Sequence, residues 1–196
     1  MGVIEEAGTN DPSLEFYLTA NGNLEAASRD SDGDVWIATG NSVIHDNNWH
    51  FVTLVRDTRN NTISLYVDGT KDANATRDTH TASISIGVEY LFIGAEDGRG
   101  TASGFFVGAI DEVAIFDRKL SYEEIKDLYQ NAFPRIVVDD IKADETYIDN
   151  IHLSGDYVYD DPNLVGYWPF EFGSGTKAFD KSIYGNDGDL INGPTW

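Results

Sequence analysis

The densest run of oxygen ligands in the sequence is Asp30-Ser31-Asp32-Gly33-Asp34. Carboxylates at alternate positions around a glycine are the chemistry of a hard-cation loop, because Ca²⁺ gathers roughly six to eight oxygens. The run resembles half of an EF-hand loop but lacks the distal glutamate and the flanking helices. It reads first as a solvated hairpin tip and second as a cation site. The four histidines, His45, His50, His80 and His152, have no partner at a metal-ligand spacing, so none is expected to act as a ligand or catalytic base. There is no cysteine, which excludes disulfides and thiolate metal sites. Nucleophile-elbow, phosphate-loop and dinucleotide motifs are missing, and Gly98-Arg99-Gly100 reads as a plain loop. Asn60-Asn61-Thr62 and Asn74-Ala75-Thr76 fit the glycosylation sequon, which matters only for a secreted protein in a glycosylating host.

Charge narrows the partners further. The 196 residues carry 13 Lys and Arg against 34 Asp and Glu, a formal net charge of −21. Such a surface repels a phosphate backbone, so no nucleic-acid partner is expected. No polybasic run offers itself to anionic lipid, and no apolar run reaches the length of a membrane span. Residues 1–10 lack the basic start and apolar centre of a signal peptide. Aspartates outnumber glutamates 23 to 11, many in Gly- and Asn-rich runs that suit turns. The excess charge reads chiefly as an acidic, soluble surface of halophilic or extracellular type. With 41% hydrophobic and 12% aromatic residues, the chain has the material for a core.

The elements that would position any site are mostly strands. Leu14-Glu15-Phe16-Tyr17-Leu18 alternates, Asn21-Gly22-Asn23 reads as a turn, and residues 24–28 return. Val35-Trp36-Ile37-Ala38 follows the acidic loop. The clearest segment is 49–69. His50, Val52, Leu54 and Arg56 alternate with Phe51, Thr53 and Val55; a turn-rich stretch follows; then Ile63, Leu65 and Val67 alternate with Ser64, Tyr66 and Asp68. That pattern predicts a hairpin with one apolar face. Further strands are expected over 90–94, 105–116 and 164–170. Ser121-Tyr122-Glu123-Glu124 is a capping box, and Ile125, Leu128 and Tyr129 share one helical face, so one short helix is expected to end near Asn131 before Pro134. The acidic stretch 136–159 contains short β-prone runs that read either as strands or as an extended linker. Residues 180–193 read as loop. Many short strands, frequent turns and one helix predict an antiparallel β-sandwich.

Two stretches resemble the laminin G-like, concanavalin A-like jelly-roll superfamily in its bacterial and archaeal branch. The first runs from Asn48-Trp49-His50-Phe51-Val52 through Leu65-Tyr66-Val67-Asp68-Gly69 and Phe92-Ile93-Gly94 to Gly108-Ala109-Ile110-Asp111-Glu112-Val113 and Arg118-Lys119-Leu120-Ser121, and covers about residues 14–132. The second is Leu164-Val165-Gly166-Tyr167-Trp168-Pro169-Phe170, continuing through Asp180-Lys181-Ser182 and Gly185-Asn186-Asp187-Gly188 to Leu190-Ile191-Asn192-Gly193-Pro194. It is similar to the family's opening strand and first loop, yet it comes last here. The resemblance implies an all-β, antiparallel jelly-roll sandwich with one short helix. It divides the chain into a main sandwich over 1–133, incomplete at its start, an acidic β-prone connector over 134–162, and a segment over 163–196. That last segment would begin a second module, fold back on its own sandwich, or be donated to a neighbour by strand exchange.

The resemblance also implies a structural Ca²⁺ between the domain's first loop and its last strand. The matching residues are Asp111, Asp180 and Asn186, with Glu171 as a further candidate. The alternative is that Asp111 bonds backbone amides and Asp180 is a turn residue. Glucanases of this fold align three carboxylates on one strand, alternating toward the cleft. Here Asp111 and Glu112 are adjacent and point to opposite faces, and Asp117 sits at the strand end, so no enzyme is expected. Carbohydrate binding is implied by the family, and Trp36, Tyr66, Trp168 and Trp196 are the aromatics considered for it, although aromatics in strands more often serve the core. The expected role is a non-catalytic adhesion or carbohydrate-binding module of a larger extracellular or cell-surface protein, with a glycan or surface protein as partner. The alternative is a filament or sheath subunit that self-associates through its C-terminal segment.

Overall fold

The computed structural model describes residues 2–4, 13–29, 35–57, 59–75, 91–97, 102–132, 136–141, 148–153, 161–171 and 174–191. The acidic loop 30–34, with its second cation candidate, lies outside the described residues, as do His80 and Trp196. The chain forms two compact units, Met1–Ile110 and Asp111–Trp196.

In the first unit, strands β1 (Gly2–Ile4), β2 (Ser13–Leu18), β3 (Asn23–Arg29) and β4 (Val35–Val43) form one sheet in that order. Strands β5 (Val52–Asp57), β6 (Thr62–Val67) and β7 (Thr70–Ala75) form a second. The register places Phe16 opposite Ala26 and Ala26 opposite Ala38, so these side chains line up across β2, β3 and β4. They are buried together with Leu24 against Ile63, Leu65 and Val67 of β6. Two facing sheets sharing one apolar layer make a β-sandwich. Each fully buried Ile or Leu in that layer contributes about 1.5–3 kcal/mol. The 52–67 hairpin forms as the alternation predicts, except that Ser64 and Tyr66 are buried as well, so β6 is covered on both faces.

The sheets are stitched at one corner by Asp72 on β7. Its carboxylate accepts the Ser42 N–H at 3.0 Å and the Ser42 hydroxyl at 2.6 Å. Gly40 makes this approach feasible, since a Cβ there would lie 2.2 Å from the Asp72 Oδ2.

Strands β8 (Glu96–Asp97) and β9 (Ala102–Ser103) form a short pair. Among the described residues, the strand expected over 90–94 does not form, and the one expected over 105–116 is shortened. Residues 93–95 form a bend, and only Val113–Phe116 is extended in the second stretch. Positive φ angles at Gly94 (75°), Gly104 (52°) and Glu112 (53°) explain the breaks, because left-handed residues cannot continue a pleated ladder.

The second unit holds β10 (Val113–Phe116), α1 (Tyr122–Ala132), β11 (Ile136–Ile141), β12 (Ile148–Leu153), β13 (Leu164–Trp168), β14 (Lys177–Ala178) and β15 (Gly188–Asp189). The capping box forms as read: Ser121 N–H donates to Glu124 Oε2 at 2.7 Å, and Glu124 N–H donates to Ser121 Oγ at 3.3 Å. Ile125 is fully buried on the helix's apolar face. Arg118 anchors the start of the helix by bonding both Glu124, at 2.7 Å, and Asp161. Both carboxyls are held at about 2, chiefly by that guanidinium. The β-prone stretch after the helix contains an antiparallel hairpin, β11 with β12, pairing Ile136 with Leu153.

Strand β13 runs antiparallel to β10, with Val113 opposite Trp168 and Ala114 opposite Tyr167. The last expected strand is two residues shorter than read, ending at Trp168 rather than Phe170, where φ is +50°. Leu164, Tyr167 and Trp168 are all buried. Gly166 belongs to this packing, since a Cβ there would meet the Trp168 ring at 2.4 Å.

Candidate functional site

The acidic residues singled out by the sequence gather around β13. Tyr167 uses both main-chain groups on the side away from β10. Its N–H donates to Asp180 Oδ1 at 2.8 Å, and its carbonyl accepts from Lys181 N–H at 2.8 Å. Asp180 Oδ1 also accepts the Ser182 N–H at 2.8 Å. Its Oδ2 accepts the Asn186 N–H at 2.7 Å and the Ser182 hydroxyl at 2.8 Å. Asp187 Oδ1 in turn accepts the Asp180 N–H at 3.0 Å. Burial pushes the Asp180 carboxyl up, but the N–H groups of Tyr167, Ser182 and Asn186 and the Ser182 hydroxyl outweigh it and hold its pKa below the ordinary value.

Asp180 is therefore the clasp of the 179–187 loop. Four donors occupy its two oxygens, and it is only 8% exposed. A cation at this carboxylate would have to displace the backbone N–H groups of Tyr167, Ser182 and Asn186. Asn186 is a second tie: its side-chain N–H donates to the Val165 carbonyl at 2.9 Å, and its own carbonyl accepts the Trp168 indole N–H at 3.1 Å. Both residues bind the loop along the free edge of β13.

Asp111 and Glu171 flank the Val113–Trp168 end of the strand pair. The register that faces Val113 with Trp168 brings residues 111–112 alongside 169–171. Burial raises the Asp111 pKa, and the Glu171 charge adds to it against the bond from Glu112 N–H, 3.0 Å away. Glu112 is raised by burial, then by the charges of Asp111 and Glu171, while a bond from the buried Tyr167 hydroxyl opposes the rise. The donor chemistry of Asp111 and Glu171, two mutually repelling carboxylates in reach of solvent, suits a hard cation. That of Asp180 does not. Among the described residues, no three acidic or imidazole side chains are gathered closely enough to hold a metal.

A cleft of about 160 Å³ lies beside the helix, lined by Phe116, Arg118, Leu120, Glu124, Asp127, Leu128 and Asp161. It falls well below the roughly 300–1,000 Å³ of a small-molecule pocket.

Of the aromatics considered for sugar stacking, Tyr66 and Trp168 are placed in the core. Tyr66 is 8% exposed and Trp168 5%. The side chains of Trp36 and Trp196 lie outside the described ones. Trp49, which the strand reading set at the head of β5, is instead 57% exposed. It follows a tight turn in which Asp46 accepts the Asn48 N–H and the Asn48 side-chain N–H, both at 2.9 Å, and Asn47 takes φ +66°. His50, next to it, bridges two carboxylates, Asp46 at 3.1 Å and Asp68 at 2.9 Å. The signal that would have found this loop is Asp46-Asn47-Asn48, a run of turn formers directly before the tryptophan.

Comparison with known proteins gives a match over residues 2–126 to a laminin G family model described as the concanavalin A-like lectin/glucanases superfamily. Among curated proteins no relative matches the chain. Among solved structures, a 2.1 Å crystal structure of an S-layer domain-containing protein from Clostridium thermocellum ATCC 27405 is similar at 21% identity and a TM-score of 0.35. That alignment covers 64% of this chain and 59% of the other.

Proposed function

The chain belongs to the concanavalin A-like lectin/glucanases superfamily, and from that premise we propose that it is a non-catalytic glycan-binding or adhesion module of an extracellular or cell-surface protein. The observation that carries this reading is Trp49. A large aromatic exposed just after a tight, hydrogen-bonded turn, and preceded in the chain by Asn47 and Asn48, supplies what a sugar site needs: a flat apolar face with polar residues next to it. The non-catalytic part is supported by the carboxylates. Asp111 and Glu112 are sequence neighbours rather than alternating, and Glu112 is engaged by Tyr167. The test is a panel of soluble polysaccharides and chitin oligosaccharides titrated into the protein, with Trp fluorescence as readout. Saturable quenching supports the reading, and hydrolysis of any panel member overturns its non-catalytic half.

Calcium enters this reading as an ion held by Asp111 and Glu171 at the end of the β10–β13 pair. Asp180 and Asn186 shape the neighbouring loop rather than ligate. The ion's contribution would be to relieve the carboxylate repulsion there.

We also read residues 163–196 as the family's opening segment, used here to complete the sheet at β10. The antiparallel pairing of β13 with β10 supports fold-back within the chain. The second reading, donation of the same segment to a neighbour, rests on that same edge. Light-scattering mass across a concentration series separates them: a constant monomer mass supports fold-back, and growth that disappears on deletion of 163–196 supports donation.

A further inference from the structure

We propose that His50 is a proton-operated strap, which in its doubly protonated form ties the turn carrying Trp49 to the β6–β7 turn and releases it when the imidazole loses a proton. The consequence for a ligand rests on the glycan reading of Trp49; the strap itself does not.

Residues 44–51 connect β4 to β5 outside any strand ladder. One tie is the Ile44 N–H to the Gly22 carbonyl at 2.8 Å, before the turn begins. Within the turn, Asp46 bonds Asn48, which fixes the turn's shape but not its place on the sandwich. His50 supplies the place. Its Nε2 meets Asp46 Oδ1 at 3.1 Å, and its Nδ1 meets Asp68 Oδ2 at 2.9 Å.

The two carboxylates differ in rigidity. Asp68 accepts the Phe51 N–H at 3.0 Å and donates its own N–H to the Phe51 carbonyl at 2.8 Å, in a left-handed turn completed by Gly69 at φ +70°. It is an anchor locked to the start of β5. Asp46 sits on the exposed turn, with nearly half its side chain open to solvent.

A neutral imidazole has one N–H, so it can donate to one of these carboxylates only; the other nitrogen would turn a lone pair toward a carboxylate oxygen. Both bonds coexist only in the imidazolium. Asp68 and Asp46 are the charged groups that bear on His50, from the β6–β7 turn and from its own connection. The Asp68 bond raises the His50 pKa most; partial burial opposes it, and Asp46 adds to the rise. Asp46 is held at about 2, first by the Asn48 side chain and then by the Asn48 N–H, with His50 after them. Asp46 thus remains ionised far below neutrality, and His50 is the member of the pair that changes state. On deprotonation the proton is kept at Nδ1, where the anchor is fixed, and the Asp46 bond is lost. The turn keeps its internal bonds but loses its tether, and Trp49 lies inside the released stretch.

The experiment is a histidine-labelled NMR titration of the full chain, from about pH 5 to 9 so as to span the imidazole range. Long-range ¹H–¹⁵N spectra report both ring nitrogens of His50, and the Trp49 indole N–H, assigned with Trp49→Phe, reports the turn. The expected result is a doubly protonated His50 below its midpoint, a midpoint above that of a free histidine, and a Trp49 shift with the same midpoint. Asp46→Asn, checked for folding by circular dichroism, lowers the midpoint and abolishes the Trp49 shift. A single neutral tautomer throughout, or a Trp49 resonance indifferent to the His50 titration, overturns the strap. The polysaccharide panel repeated on either side of the midpoint tests the consequence. Affinity falls several-fold above the midpoint in the wild type and not in Asp46→Asn. If Trp49 and His50 titrate together but no panel member binds at either pH, the glycan reading falls and the strap stands. Equal binding on both sides overturns the ligand consequence.

Discussion

Replacing Asp180 by asparagine should loosen the whole C-terminal loop. The carboxylate accepts four bonds, at 2.8 Å from Tyr167 N–H, 2.8 Å from Ser182 N–H, 2.7 Å from Asn186 N–H and 2.8 Å from the Ser182 hydroxyl. Asparagine keeps an acceptor oxygen for the first two but presents an NH₂ to the Asn186 N–H, donor against donor. The Ser182 hydroxyl can rotate to accept, so one bond is lost outright and two lose their ionic character. Hydrogen bonds to a charged group contribute about 1.5–3 kcal/mol and neutral ones about 0.5–1.5. The net expected loss is about 2–4 kcal/mol, a large share of a typical total of about 5–15. It should lower the melting temperature by roughly 4–16 °C. The assay is urea and thermal unfolding combined with amide hydrogen exchange at Tyr167, Ser182 and Asn186. The pH dependence has a definite sign. Because the folded-state pKa is depressed, the stabilisation is present above the unfolded value near 3.9 and is lost as pH falls through the folded one. A variant within about 0.5 kcal/mol of wild type, with those three amides still protected, would refute the clasp.

Two further predictions concern the same unit. Gly166→Ala puts a Cβ 2.4 Å from the Trp168 ring, which must leave its position over the strand. The cost of such overpacking is about 1–3 kcal/mol, measured by denaturant unfolding, and an unchanged midpoint would mean the ring has room to move. Asp111→Asn removes one of two repelling carboxylates. Without calcium it should be neutral to slightly stabilising, and any calcium-induced rise in melting temperature seen in wild type should disappear. A rise that persists undiminished in this variant places the ion elsewhere.

The regular parts of the fold were legible in the residues. The alternation of Ile63, Leu65 and Val67 with Ser64 and Tyr66 marked β6, and the Ser121 to Glu124 box marked the helix start to within a residue. The stretches that misled are those where glycine or a left-handed residue interrupts an apolar run. Over 90–94 and 105–112 the side chains have strand propensity, but Gly94, Gly104 and Glu112 turn the backbone out of the β region. Pattern reading records side-chain type and is blind to φ. The candidate residues were legible by type and not by placement. Asp180 and Asn186 bond β13, and sequence alone does not reveal that Asp180 spends both oxygens on backbone N–H groups and the Ser182 hydroxyl. Trp49 was missed because the strand begins only at Val52, so the alternation read back to Trp49 does not govern which way it faces, and the Asp46 to Asn48 turn precedes it.

The most direct test of the central claim is Trp49→Ala in the polysaccharide panel, with binding followed calorimetrically since the fluorescent reporter is removed. The side chain is 57% exposed, so the variant should fold with near wild-type stability. A stacked aromatic in a binding site typically contributes at least about 1–2 kcal/mol, which is roughly a tenfold to thirtyfold loss of affinity. Loss of that size in a stably folded variant is the result predicted. Undiminished affinity for the same glycan would contradict it, and would move the binding surface away from the turn between β4 and β5.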